Sequence, residues 1–235
     1  MSHKTLLHWS SGKDAALALH ALQQQDTFAV EKLITTVNKE LQRVTMHGLT
    51  VKLVELQASS LGLLLEFIQL PLEADMPTYE DRFGLCMKAN HQLGFSHNAF
   101  GDIFLEDLKQ YRENQLQKFG MSATFPLWKK NTRELIKELI QVGFKAIVVA
   151  ASTKYFDESF LGTEIDENFL ESLPEDVDAC GENGEFHTFC YNGPIFKNPI
   201  PFTKGETKYI EYQNPDKNSD ALKSGFWFLD ILPTD

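Results

Sequence analysis

Apolar and polar positions along the chain fall into two successive regimes. In the first, short apolar runs alternate with longer stretches of helical period. Residues 4–9 read as a buried strand, and residues 14–25, with small side chains at 15, 16, 18 and 21, as a helix able to approach a sheet closely. Residues 31–37 predict a second strand, closed by the turn signal Asn38-Lys39-Glu40. Apolar positions 49, 53, 56, 58 and 61 predict a helix stopped by Gly62, and residues 63–70 a third strand ended by Pro71. A helix over 77–94, a short strand over 98–103 ending at a Gly-Asp pair, and a helix over 105–119 complete this part. Such alternation is the pattern of a parallel sheet covered by helices on both faces.

The second regime begins near Pro126-Leu127-Trp128. Asn131 and Glu134 have the spacing of a capping box, positions 135, 136, 139 and 140 give a short apolar stripe, and Gly143 stops it. A strand over 144–151 follows, then a short acidic helix over 164–173. After residue 186 the pattern turns to β: 186–191, 208–213 and 226–232, with a polar turn or loop over 214–219. The expected fold is therefore α/β, a doubly covered parallel sheet in residues 1–125, with a smaller α+β domain in residues 126–235.

The composition narrows the functional classes. A chain of 235 residues with 43% hydrophobic and 23% charged positions is that of a soluble globular protein with ample core. Its longest apolar runs are strand-length, too short to span a membrane, and residues 1–4 carry no signal-peptide pattern. The three cysteines, Cys86, Cys180 and Cys190, are widely spaced with no Cys-x-x-Cys, which fits a reducing cytoplasm and argues against a disulfide framework or structural zinc. A net charge of −11 repels a polyanion, and Lys129-Lys130, the one adjacent basic pair, is too short a patch to reverse this, so tRNA or DNA is disfavoured as the main partner.

Two stretches carry chemistry. Ser10-Ser11-Gly12-Lys13-Asp14-Ala15 lies between the first strand and its helix. Small residues, unpaired first-turn N–H groups, the helix dipole and the Lys13 charge together make an anion cradle. Its spacing is not that of a Walker loop, and taken alone it is equally a plain strand-to-helix turn. Cys180-Gly181-Glu182-Asn183-Gly184-Glu185-Phe186-His187-Thr188 is the densest polar stretch elsewhere. Its carboxylates, amide, imidazole and hydroxyl could hold a cation, move a proton or bind an amine, while Asn183-Gly184 alone is a hairpin signal.

The first stretch resembles the Ser-Gly-Gly-Lys-Asp-Ser loop of PP-loop ATP pyrophosphatases, with Ser11 in place of its first Gly and Ala15 in place of its final Ser. Both stretches together resemble the diphthine–ammonia ligase family, with further matches in order at Met46-His47-Gly48, Gly101-Asp102-Ile103, Pro126-Leu127-Trp128 and Gly143-Phe144. The resemblance runs from about residue 4 to residue 196. It implies an adenine nucleotide α-hydrolase-like (HUP, Rossmann-like) domain that binds ATP, and a second domain closing the cleft. It also implies a reaction in which ATP adenylates a carboxylate, pyrophosphate leaves and ammonia displaces AMP. The sequence around Met46-His47-Gly48 is similar to the stand-alone bacterial branch, whose members would act on a carboxylate other than diphthine.

On this resemblance, Ser10, Ser11, Gly12, Lys13, Asp14, Ala15, Thr36, His47, Gly101 and Asp102 are expected to contact ATP, with Mg²⁺ at Asp14. Lys13, Glu182, Glu185 and His187 are the expected catalytic groups, and Gly181, Asn183, Gly184 and Thr188 would contact the acid substrate, a small molecule or a protein side chain. Free ammonium is the simplest nitrogen donor, and assembly with further copies is left open. Tyr79, Glu80 and Arg82 read as a solvated helix start, and His3, His8, His20, His91 and His97 as surface or satisfied-core histidines. Two alternatives stand beside the ligase: a non-catalytic adenine-nucleotide sensor on the same fold, and a tRNA-modifying PP-loop enzyme. The second would need a persulfide cysteine or a cluster, usually with Cys-x-x-Cys, and a basic RNA surface, and the sequence has neither.

Overall fold

Strand β1 (His3–His8) is central to the first sheet because it is apolar on both faces: Leu6 and Leu7, wholly buried, point to opposite sides. The computed structural model describes residues 2–45, 48–212 and 224–234. After β1 the chain forms α1 (Lys13–Gln23), β2 (Phe28–Asn38), β3 (Arg43–Val44), α2 (Val51–Leu61) and β4 (Leu64–Leu70). It continues through α3 (Met76–Gln92), β5 (His97–Ala99), α4 (Glu106–Gln117) and β6 (Ser122–Thr124). The main strands run parallel in the order β4-β2-β1-β5-β6, with β3 a two-residue antiparallel addition to the end of β2.

The first connections move outward from β1 to β2 and β4, and the next returns to β5 on the opposite side of β1. The carboxyl end of β1 is therefore the topological switch point, where open α/β sheets place ligands. On one face Leu6, Ile34, Phe83, Met87, Phe100 and Leu116 pack with α3 and α4. On the other, Leu7, Leu19, Leu33 and Leu53 pack with α1 and α2, and this core runs on into the second sheet through Val148 and Phe189. Each such side chain stabilises the fold by about 1.5–3 kcal/mol.

The second sheet is antiparallel, in the order β8 (Phe186–Asn192), β7 (Lys145–Ser152), β10 (Ser224–Pro233) and β9 (Phe202–Tyr212). It is preceded by α5 (Thr132–Val142), and α6 (Phe169–Ser172) lies between β7 and β8. Asn131 caps α5 by accepting the Glu134 N–H at 3.1 Å, and Gly143 closes it at φ +91°. The capping box is half made, because the Glu134 carboxylate turns to Lys137 at 2.7 Å.

Two expectations are corrected, and one strand is new. The acidic helix over 164–173 shrinks to α6, because residues 162–165 pair with the β7 backbone instead: Gly162 and Ile165 donate to Val148 and Ala146 at 2.8 and 2.9 Å. The strand over 98–103 ends at Ala99, and β6 was not anticipated, three residues being too few for a visible period. The loop over 214–219 and His47 lie outside the described residues.

Candidate active site

The loop after β1 is bent by Ser11, a non-glycine residue at φ +72° with its side chain fully buried. This is the position at which the PP-loop motif carries Gly, and the left-handed conformation is the physical reason. Two donors pin the Ser11 carbonyl: Cys190 N–H of β8 at 2.9 Å and Gln57 Nε2 at 3.2 Å. Gln57, buried on α2, also donates to the Cys190 carbonyl at 2.7 Å and accepts the Trp9 indole N–H at 2.8 Å. Gly12 starts α1 with no side-chain cap of its own, and the orphan N–H of Lys13 is taken by Thr188 Oγ1 at 3.0 Å.

Lys13 is 2% exposed. Its ammonium donates to Asp14 Oδ2 at 2.9 Å and to the Cys180 carbonyl, and lies 5.1 Å from the Phe186 ring centroid. Burial is the largest influence and opposes its charge, but Asp14, Cys180 and Glu182 together outweigh it and hold its pKa above the usual value. Gly101 lets the loop after β5 press on α1, since a Cβ there would stand 2.9 Å from the Asp14 carbonyl carbon. Asp102 is held by Arg112, with Nε–Oδ2 at 2.8 Å and Nη2–Oδ1 at 3.1 Å. The Arg112 guanidinium lies 4.3 Å from the Phe100 centroid, and His8 stacks on the same ring at 4.3 Å.

The second motif is a loop entering β8. Glu182 Oε1 accepts the Ile103 N–H at 2.7 Å, tying the motif to the loop after β5. Burial, helped by Asp14 and Asp102, pushes the Glu182 pKa up to about 7. Burial lowers the His187 pKa to about 4, with Lys13 adding to the effect, so the imidazole is neutral at pH 7. Glu185 is 1% exposed, and its carboxylate accepts the Asp178 N–H at 3.0 Å, the Asn183 N–H at 2.9 Å and the Asn183 amide at 3.0 Å. Gly181, at φ +69°, fits because a Cβ would meet the Phe186 carbonyl oxygen at 2.8 Å.

These groups surround a cleft of about 860 Å³ between the two sheets, ample for a nucleotide. Ser10, Lys13, Asp14, Ala15, Thr36, Gly101 and Asp102 line it from the first sheet. Gly181, Glu182, Asn183, Gly184, His187 and Thr188 line it from the second. Ser11, Gly12 and Glu185 stand behind that lining and shape it. The Thr36 carbonyl is taken by the N–H of Thr45 at 3.1 Å, so its backbone oxygen is already engaged. Cys180 is buried, and burial pushes its thiol upward, which disfavours the thiolate.

Family models described as the diphthamide synthase N-terminal domain and the diphthamide synthase C-terminal domain match residues 3–123 and 131–215. The chain belongs to the diphthamide synthase family. Among curated relatives, the diphthine–ammonia ligase of Bos taurus is 31% identical over 102 residues, covering 41% of this chain and 38% of the bovine protein. That of Mus musculus is 32% identical over 108 residues, 43% of this chain and 40% of the mouse protein. That of Danio rerio is 29% identical over 134 residues, 54% of this chain and 52% of the fish protein. The match to the mammalian relatives thus spans about two fifths of their length.

In this diphthamide synthase family member several cleft residues were not anticipated. Tyr79 lines the cleft rather than solvent, stacked on Phe83 at 5.9 Å, while Arg82 is exposed as expected. His8 and Arg112 also line it. Gln57 had a visible signal: it is a polar residue four positions from both Leu53 and Leu61, inside an apolar stripe. Arg112 had none, because its partner Asp102 is brought to it by the turn into α4. Among the described residues, no helix is long and apolar enough to cross a membrane.

Proposed function

We propose that this chain is an ATP-dependent ligase that adenylates a carboxylate and amidates it with ammonia. The observation that carries this is one cleft in which the β1–α1 anion loop and the Cys180–Thr188 motif are bonded to each other, by Lys13 to Cys180 and by Thr188 to Lys13. Residues 1–125 would act as the ATP-binding half and residues 126–235 as the half that carries the acceptor.

The chemistry follows from the residues. A carboxylate oxygen attacks the α-phosphorus and pyrophosphate leaves toward Ser10, Lys13 and the N-terminus of α1, where donors and positive charge oppose the charge it carries. Ammonia then adds to the acyl carbon and AMP departs. The proton that nitrogen loses passes to Glu182, whose pKa of about 7 suits it to give and take protons near neutrality. Neutral His187 can accept a hydrogen bond from the same nitrogen.

Two cations, Lys13 and Arg112, and three carboxylates, Asp14, Asp102 and Glu182, line the cleft. That balance leaves a polyphosphate short of positive charge, and carboxylate oxygens are the donors that Mg²⁺ prefers. Asp14 would hold the ion, which would neutralise the phosphates. The defining test is pyrophosphate and AMP release with a panel of carboxylic acids, with and without ammonium. Ammonium-dependent AMP and amide in equal amounts support the ligase; ATP bound with no AMP across the panel would leave the nucleotide-sensor function instead.

A further inference from the structure

We infer that Gln57 is the positioning residue of the anion loop: it fixes the peptide plane between Ser11 and Gly12 so that the Gly12 N–H is presented on the cleft side. The inference rests on the proposal that this loop takes phosphates.

The geometry begins with the carbonyl of Ser11. Across a trans peptide the C=O and the next N–H point in opposite directions. Gln57 Nε2 and Cys190 N–H together pull the Ser11 oxygen toward α2 and β8. The Gly12 N–H is thereby directed the other way, to the Ser10 hydroxyl at 3.4 Å, and Ser10 lines the cleft. A bond of that length yields readily to an incoming anion, because it is long for an N–H to oxygen contact.

Ser11 makes this pin necessary. At φ +72° a side chain with a Cβ is strained, and such strain persists only where the surroundings over-determine it. The Ser11 hydroxyl offers no compensation, since it makes no hydrogen bond among the described residues. Gln57 supplies what the side chain does not. Its carboxamide is fully buried, and a buried amide is tolerated only when its donors and acceptor are matched. Here both donors go to backbone carbonyls of the two halves, Ser11 and Cys190, and the acceptor is oriented by Trp9. Gln57 itself does not line the cleft, so its influence is exerted through the loop.

The test uses the full chain with inorganic pyrophosphate and ATP as separate probes, read by calorimetry, with the Gly12 amide followed by nuclear magnetic resonance. Gln57→Met keeps length and apolar fit but removes both donors. It is expected to weaken both probes about tenfold or more, the scale of losing one well-placed bond to an anion, and to move the Gly12 amide resonance. Adding Ser11→Gly to Gln57→Met should restore most of the affinity, because glycine holds the left-handed turn without a clamp. A merely structural role for Gln57 gives no such rescue. Should Gln57→Met not fold, Trp9→Phe frees the amide to rotate and should give a smaller loss of the same kind, again rescued by Ser11→Gly.

Wild-type affinity and an unmoved Gly12 resonance in a folded Gln57→Met would overturn the inference, as would loss without rescue. If the wild-type chain binds neither probe, the nucleotide function fails. The Gly12 resonance then decides on the pin by itself: displaced by Gln57→Met and returned by Ser11→Gly, it stands; unmoved, it falls.

Discussion

Thr188 accepts the backbone N–H of Lys13 at 3.0 Å, so the first turn of α1 is capped from the second sheet and not by its own N-cap residue, Gly12. A hydroxyl acceptor at a helix start is worth about 1–2 kcal/mol. Thr188→Val keeps the shape of the side chain and deletes the acceptor. Its unfolding free energy in urea should fall by that amount, with a lower midpoint, while Thr188→Ser stays close to wild type. Equal midpoints for the two variants would show that the bond contributes nothing.

Glu185 is buried and engaged within its own loop. All three donors around it belong to its own loop, at Asp178 and Asn183, and the side chain is 1% exposed. Glu185→Gln can keep an oxygen for the Asp178 N–H and the Asn183 amide but sets its NH2 against the Asn183 N–H, and leaving such a donor unmatched costs about 1–3 kcal/mol. The expected outcome is a lower melting temperature, with cleft function lost through the loop. A variant of wild-type stability that has lost turnover would return Glu185 to the role of proton acceptor.

The fold was legible in the sequence wherever an element was long enough to show its period. The strand–loop–helix at residues 4–25 and the helix ending at Gly62 are seen within a residue or two of their expected positions. Elements of two to four residues fared worse: β3 and β6 were not foreseen and α6 was expected longer, because neighbours in space decide them. The same division holds in the site. Residues of the two motifs were visible as types, and most of them line one cleft. Which carboxylate faces that cleft was not visible, because Glu182 and Glu185 differ only in what folds around them: the Ile103 N–H for one, the Asp178 and Asn183 donors for the other. Arg112 and Tyr79 reach the site from two different helices, and no local spacing encodes that.

Glu182 should set the acidic limb of the pH profile. Its pKa is raised to about 7 by burial first, then by Asp14 and Asp102. In its proposed role as proton acceptor it must be ionised, so kcat/KM for the proposed amide formation should rise through about pH 7 and level off above it. Glu182→Gln should abolish that limb and lower the plateau by about 10²–10⁴-fold. An unchanged limb in the variant would assign the titration to another group.

The two cleft histidines should make the protein acid-sensitive. His8 is lowered to about 3, by burial and then by Arg112, and His187 to about 4, by burial and then by Lys13. Each binds its proton near pH 6.5 in the unfolded chain and stays neutral in the folded one. Their stabilising contribution is therefore full above pH 6.5 and is lost as pH falls toward 4 and 3, at about 1.4 kcal/mol per pH unit for each histidine. Glu182 acts in the opposite sense: its folded pKa is the higher one, so its contribution grows as pH falls through 7. The clean measurement is thus urea unfolding between pH 6.5 and 5 in the Glu182→Gln background. There stability should fall as pH falls, and adding His187→Gln should reduce the slope by about one proton. A slope unchanged by His187→Gln would mean that the imidazole is protonated in the folded protein, which would remove it as a neutral partner for ammonia.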